Sequence, residues 1–131
     1  MAETRTEALS GLCVLVVEDE YLIAADLAAS LEALGVEVIG PAPSIGEALE
    51  LVSDKGERLD GAILDINLRG SRVFPVADAL AKRGVPFVFT TGYEDGLIPN
   101  SYADVPRCLK PVDKAQLTRW LLKWRIQENL A

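Results

Sequence analysis

Five short apolar runs divide this chain, and the stretches between them carry apolar residues at helical spacing. The runs are Leu12 to Val17, Val36 to Ile39, Gly61 to Leu64, Phe87 to Thr90 and Val105 to Leu109. The first, valine-rich and closed by acids, has the pattern of a strand buried on both faces. Between the first two runs, Tyr21 to Leu34 places Ile23, Leu27, Leu31 and Leu34 on one helical face, with Gly35 as the stop. Ser44 and Glu47 form a capping-box pattern ahead of Ala48, Leu49, Leu51 and Val52, so a second helix starts there. Ser71 is placed to cap a third, with Pro75 in its first turn and Gly84 at its end. Ala115 to Ile126 reads as the last helix, with Leu117, Trp120, Leu121 and Trp124 as its core face and Leu122 and Ile126 off it. The interval Gly92 to Asp104 holds Gly92, Gly96, Pro99 and Asn100, a poor helix, and is expected to be a short, mobile element. The alternation predicts an α/β fold: a doubly wound (βα)5 chain with a five-stranded parallel sheet and helices on both faces. Function in such sheets belongs at the carboxyl ends of the strands.

With 131 residues the chain is long enough for one domain with a real core. Residues 1–11 read as an N-terminal extension and 12–131 as the folded domain. The net charge of -7 makes it a poor electrostatic partner for a phosphate backbone, so no nucleic-acid binding is expected. No apolar run approaches the roughly 18 residues that a membrane span needs, and Met1 to Ser10 has no signal-peptide core, which points to the cytoplasm. The absence of histidine removes histidine acid–base catalysis and most zinc sites. Cys13 and Cys108 sit in apolar stretches and read as buried structural thiols.

The residues at the strand ends are of a different kind. The first run ends at Glu18 and Asp19, the third at Asp65, the fourth at Thr90 and Thr91, and the fifth at Lys110 and Pro111. A single acid at a strand end is ordinarily just solvated; three acids, a hydroxyl and an amine brought together by topology suit phosphoryl transfer to a carboxylate. Clustered carboxylates repel each other and call for a cation. Mg2+ takes oxygen ligands and bridges carboxylates to phosphate oxygens. Glu18 and Asp19 would hold it with Asp65, and the backbone carbonyl of Asn67 would complete the protein ligands. Asp65 is the candidate nucleophile, since carboxylates form acyl phosphates. Lys110 supplies a compact positive charge for a phosphate oxygen, and the Thr91 hydroxyl a donor for another.

The blocks VVEDE (Val16 to Glu20), ILDIN (Ile63 to Asn67), FTTGY (Phe89 to Tyr93) and LKP (Leu109 to Pro111) resemble the signature blocks of two-component response-regulator receiver domains, in the same order and over nearly the whole chain from Leu12. The resemblance implies a flavodoxin-like fold with strand order 2-1-3-4-5. Residue by residue it implies Asp65 as phospho-acceptor, Glu18 and Asp19 as the metal-binding acidic pair, Thr91 as the switch hydroxyl, Lys110 as the family's lysine, and a cis peptide between Lys110 and Pro111. The implied partners are a sensor histidine kinase or a histidine phosphotransfer protein. A further protein partner would use the face made by the fourth and fifth strands and the segments that follow them. Only 21 residues (131 − 110) follow Lys110, enough for one helix, so no output domain is expected. Such a protein is no enzyme toward other substrates, and has at most autophosphatase activity.

Two positions depart from the common receiver pattern. Arg107 stands three residues before the lysine, where an aromatic switch residue is usual. FTTGY instead resembles the Phe-x-Thr-Gly-Tyr block of the "FAT GUY" receivers of alphaproteobacteria, which makes Tyr93 a candidate switch residue. Asn67, Leu68 and Arg69 replace the common Met-Pro-Gly turn, so a different loop geometry is expected. Two other readings compete. A haloacid-dehalogenase-like phosphatase would need a second acid where Asn67 stands, and would have it after the first strand. A receiver-like module that binds without phosphate would be favoured by a missing acid, threonine or lysine, and none is missing.

Overall fold

The five apolar runs pair into one parallel sheet. In the computed structural model, which describes residues 9–92, 96 and 98–130, the strands are β1 (Cys13–Val17), β2 (Glu37–Ala42), β3 (Gly61–Asp65), β4 (Phe87–Thr91) and β5 (Arg107–Leu109). Their order across the sheet is β2-β1-β3-β4-β5, the order expected. Every residue of β1 and β3 is buried, as central strands covered on both faces must be. The helices are α1 (Tyr21–Ala33), α2 (Ile45–Lys55), α3 (Phe74–Lys82) and α4 (Lys114–Leu130). Leu27 and Leu31 of α1 and Leu117, Trp120, Leu121 and Trp124 of α4 pack on Val14, Val16, Ile63 and Val88. Ala48 and Val52 of α2 and Val76, Ala77 and Leu80 of α3 pack on Leu15, Val17, Leu64 and Phe89. The alternation of side chains along each strand thus feeds two cores, one per face. Each large aliphatic side chain so buried contributes roughly 1.5–3 kcal/mol. Leu122 and Ile126 lie exposed, off the core face of α4. Among the described residues no helix is long and apolar enough to cross a membrane.

Several boundaries differ from the sequence reading, each for a local reason. β2 does not stop at Ile39 but runs through Gly40 and Pro41 to Ala42, with a register shift opposite Leu15 to Val17 and a cis Gly40–Pro41 peptide. Proline is tolerated there because β2 is an edge strand, where a missing N–H breaks no ladder. Gly40 has a φ of 95°, and a Cβ on it would sit 2.7 Å from the Ala42 nitrogen and 2.9 Å from the Val16 carbonyl oxygen. Only glycine fits this close approach.

Ser71 is not a helix cap. Ser71–Arg72 pairs antiparallel with Asn67–Leu68 in a small hairpin, and α3 begins at Phe74 without a side-chain cap, with Pro75 in its first turn. Ser44 does cap α2, accepting from the Glu47 N–H at 3.2 Å. The Gly92 to Asp104 interval contributes one 3-10 turn, Asn100–Tyr102, among its described residues, in place of a fifth helix. β5 starts two residues later than expected. The Val105 N–H is spent on the Tyr102 carbonyl, and Pro106 has no N–H to donate. The segment read as an N-terminal extension is tied to the core at its end: Leu9 is fully buried with the α4 side chains, and the Arg125 guanidinium donates to the Ser10 carbonyl. Cys13 is a buried free thiol as expected, whereas Cys108 is only half-buried.

Candidate functional site

The carboxyl edge of the sheet collects the strand-end residues. β1 delivers Glu18 and Asp19 just past Val17, β3 ends on Asp65, and Lys110 follows β5 directly. The Glu18 N–H is held by the Ala42 carbonyl at 3.0 Å, so the extended β2 fixes the start of the acidic pair. Lys110 then bridges two strands: its Nζ lies 2.9 Å from Glu18 Oε1 and 3.0 Å from Asp65 Oδ2. The Glu18 and Asp65 side chains are each 3% exposed. Glu18 Oε2 accepts the Glu20 N–H at 3.1 Å, and Asp65 Oδ1 the Asn67 N–H at 3.4 Å. The ammonium approaches Asp65 Oδ2 off the direction of a hydrogen bond, which leaves that buried oxygen ion-paired but without a directed donor. The Lys110–Pro111 peptide is cis, as the resemblance implied.

The charges are unbalanced. Glu18, Asp19 and Asp65 each bring an oxygen within 4.8 Å of the others. Among the described residues the half-buried Lys110 ammonium pairs with Glu18 and Asp65, and the third acid, Asp19, meets only the exposed Arg69 at 3.6 Å. Burial pushes the Asp65 carboxyl up to about 7 from an ordinary 3.8; the Lys110 ammonium beside it works against this, and the Glu18 charge adds to it. Burial pulls Lys110 downward, but its close contacts with the Glu18 and Asp65 carboxylates outweigh that and leave its pKa raised. An oxygen-only donor set with excess negative charge and an undirected buried carboxylate oxygen fits a hard divalent cation such as Mg2+.

Thr91 ends β4, half-buried, and its carbonyl accepts the Lys110 N–H at 2.9 Å. Its neighbour Thr90 was not singled out by the sequence, yet it stands opposite Asp65 in the β3–β4 register and is buried. It lines a cavity of about 230 Å3 together with Glu18, Lys110, Leu22, Leu27 and Leu117. Register was the signal that could have found it. Successive strand residues face opposite sides, so Thr90 and Thr91 serve different faces of the sheet. Arg107 is exposed, and its guanidinium donates to the Ala103 carbonyl at 3.3 Å. Tyr93 lies outside the described residues. A residue the sequence reading gave no role, Arg69, sits at the mouth of the cluster with its Nε 3.6 Å from Asp19 Oδ2.

No protein-family model matches the chain. Solved structures do. SdrG from Sphingomonas melonis Fr1 is 40% identical, with a TM-score of 0.75, over 89% of this chain and 98% of that one. It is also known in a BeF3-activated conformation, 41% identical, with a TM-score of 0.70, over 86% of this chain and 98% of that one. The PhyR response regulator REC domain of Erythrobacter litoralis is 27% identical, with a TM-score of 0.74, over 91% of this chain and 93% of that one. Among curated proteins, the phyllosphere-induced regulator PhyR of Methylorubrum extorquens is 41% identical over 85 residues, which is 63% of this chain. The chain spans 31% of that relative's length.

Proposed function

The chain belongs to the response-regulator receiver domains, and we propose that it works in the cytoplasm as a phosphoryl-accepting switch with Asp65 as the acceptor. An Asp65 carboxylate oxygen attacks the phosphorus of a donor phosphohistidine. The P–O bond forms as the P–N bond breaks, and the donor imidazole leaves with the electron pair and takes a proton from solvent. Glu18, Asp19, Asp65 and the Asn67 carbonyl would hold Mg2+, which when bound neutralises charge as two anions meet. Lys110 pairs with one phosphoryl oxygen from its present place beside Asp65 Oδ2. The Thr91 hydroxyl donates to another. Because the Thr91 carbonyl also holds the Lys110 N–H, movement of either residue carries to both β4 and β5. That biases the two-state surface these strands present to a protein partner. The donor is a sensor histidine kinase or a histidine phosphotransfer protein. The domain does not turn over other substrates, and its only catalysis is loading and unloading itself.

The observation that carries this reading is the Glu18–Lys110–Asp65 bridge at the carboxyl edge, an arrangement costly to fold and suited to receiving an anion once a divalent cation offsets its excess negative charge. SdrG, by its description, adopts an activated conformation with BeF3, which supports Asp65 as a site for such a phosphoryl mimic. The test is intact mass after incubation with acetyl phosphate and Mg2+. One added phosphoryl group is expected, absent with chelator and absent in Asp65→Ala. A gain that persists in Asp65→Ala would refute the acceptor. No gain, together with no beryllofluoride binding, would favour a module that binds its partner without phosphate.

A further inference from the structure

The hairpin that follows Asp65 is built in an unusual way. Asn67–Leu68 and Ser71–Arg72 pair antiparallel and leave a two-residue turn, Arg69–Gly70, with φ of 53° and 89°. Turns with both residues left-handed favour Asn-Gly. Arg69 is the one non-glycine residue at positive φ among the described residues, where its Cβ is strained and an asparagine or glycine would not be. The turn is held by the Asn67 side chain, whose Oδ1 accepts the Gly70 N–H at 2.8 Å. Its geometry aims a guanidinium back across the site mouth, with Nε 3.6 Å from Asp19 Oδ2.

Two cations therefore serve three acids. Lys110 neutralises Glu18 and Asp65 from inside, at 2.9 and 3.0 Å, with its side chain 17% exposed. Arg69 faces Asp19 from outside at 3.6 Å, with its side chain 80% exposed. When a divalent cation brings further positive charge to the same three carboxylates, the two cannot yield equally. The ammonium is buried between two partners. The guanidinium is solvated, longer in its contact, and held to one partner among the described residues. We propose that Arg69 is the resting counter-ion of Asp19, which the divalent cation must displace on entering the site. Arg69 thereby sets the affinity for the cation and couples its entry to the hairpin that follows Asp65. This rests on reading the acidic cluster as a cation site.

The experiment is calorimetric titration of Mg2+ into the metal-stripped full chain at low salt, for wild type, Arg69→Asn and Arg69→Lys. Asparagine suits the left-handed turn position, so Arg69→Asn should fold as well as wild type. It should bind Mg2+ about two- to fivefold more tightly, the range that loss of an exposed ion pair supports. Arg69→Lys keeps the charge and should stay nearer wild type. The gap between wild type and Arg69→Asn should shrink with added salt, because exposed charges are screened. If wild type binds Mg2+ and Arg69→Asn binds it equally or more weakly, the counter-ion role is wrong. If neither protein binds Mg2+, the cation-site reading itself fails.

Discussion

Replacing Asp65 by asparagine should stabilise the metal-free protein at alkaline pH, although it removes half of a buried ion pair. Burial holds the Asp65 carboxyl at about 7 against 3.8 in an exposed chain, even with Lys110 3.0 Å away. The folded state therefore binds its proton more tightly than the unfolded state does. Between about pH 4 and pH 7 the folded chain carries the extra proton, so metal-free stability falls as pH rises through that window and levels off above it. The ceiling on this loss is about 4 kcal/mol, at about 1.4 kcal/mol per tenfold change in proton affinity. Glu18 and Lys110 share the titration, and an effective dielectric of about 20 describes even buried sites, so about 1–3 kcal/mol is the expected size. Asparagine keeps the shape and cannot ionise. In chelator at pH 8, Asp65→Asn should be more stable than wild type by about that amount in urea denaturation, with the gap closing toward pH 5. Mg2+ should narrow or reverse the order, since under the proposed function wild type would keep all three carboxylates as ligands and gain more from binding. If Asp65→Asn is the less stable protein at pH 8 in chelator, or if the gap widens as pH falls, the account of Asp65 as a carboxylate ionised at a cost is wrong.

Other expectations follow from the same packing. Lys110→Met leaves Glu18 and Asp65 buried without their ammonium and should cost about 3–5 kcal/mol in chelator at pH 8, measured by urea denaturation, with Mg2+ recovering part of the loss. Gly61→Ala places a Cβ 2.5 Å from Cδ2 of Trp124; overpacking of this kind should cost about 1–3 kcal/mol and shift the tryptophan fluorescence while leaving Mg2+ binding in place. Ser44→Ala removes the acceptor of the Glu47 N–H at the start of α2 and should cost about 1 kcal/mol in thermal denaturation, with phosphoryl uptake unchanged.

The site was legible because its residues are the ones that stop apolar runs. Asp65 ends a strand and Glu18, Asp19 and Lys110 come just after one, and a parallel sheet puts every such end on one edge. What escaped were features with no period to read. Two-residue strands such as Asn67–Leu68 and Ser71–Arg72 leave no alternation, so Ser71 looked like a helix cap and Arg69 only like part of an altered turn. The second run reads only to Ile39, short of Gly40 and Pro41, because tolerance of proline depends on being at a sheet edge, a property of the neighbours and not of the run itself. Thr90 and Thr91 are adjacent letters, and only the pairing with Asp65 tells them apart. Leu9 stood beyond the first run, and its burial depends on α4, more than a hundred residues later.

The missing aromatic on β5 is answered elsewhere in the fold. Arg107 occupies that position and is exposed, and its guanidinium reaches back to Ala103. The buried aromatic next to β4 is Tyr102, from the 3-10 turn. Its ring stacks on Phe74 at 5.6 Å and 13°, and meets Phe89 edge-on at 5.8 Å. Phe74 follows Val73, whose N–H is held by the carbonyl of Ile66, the residue next to Asp65. A contact path therefore runs from Asp65 through Ile66, Val73 and Phe74 to Tyr102, on the β4–β5 crossover, without using a β5 side chain at all. Cores this closely packed resist continuous deformation and move between discrete arrangements. With Arg107 turned outward, the contacts that join the 3-10 turn to the neighbourhood of Asp65 thus run through the hairpin and α3 and not through a β5 side chain.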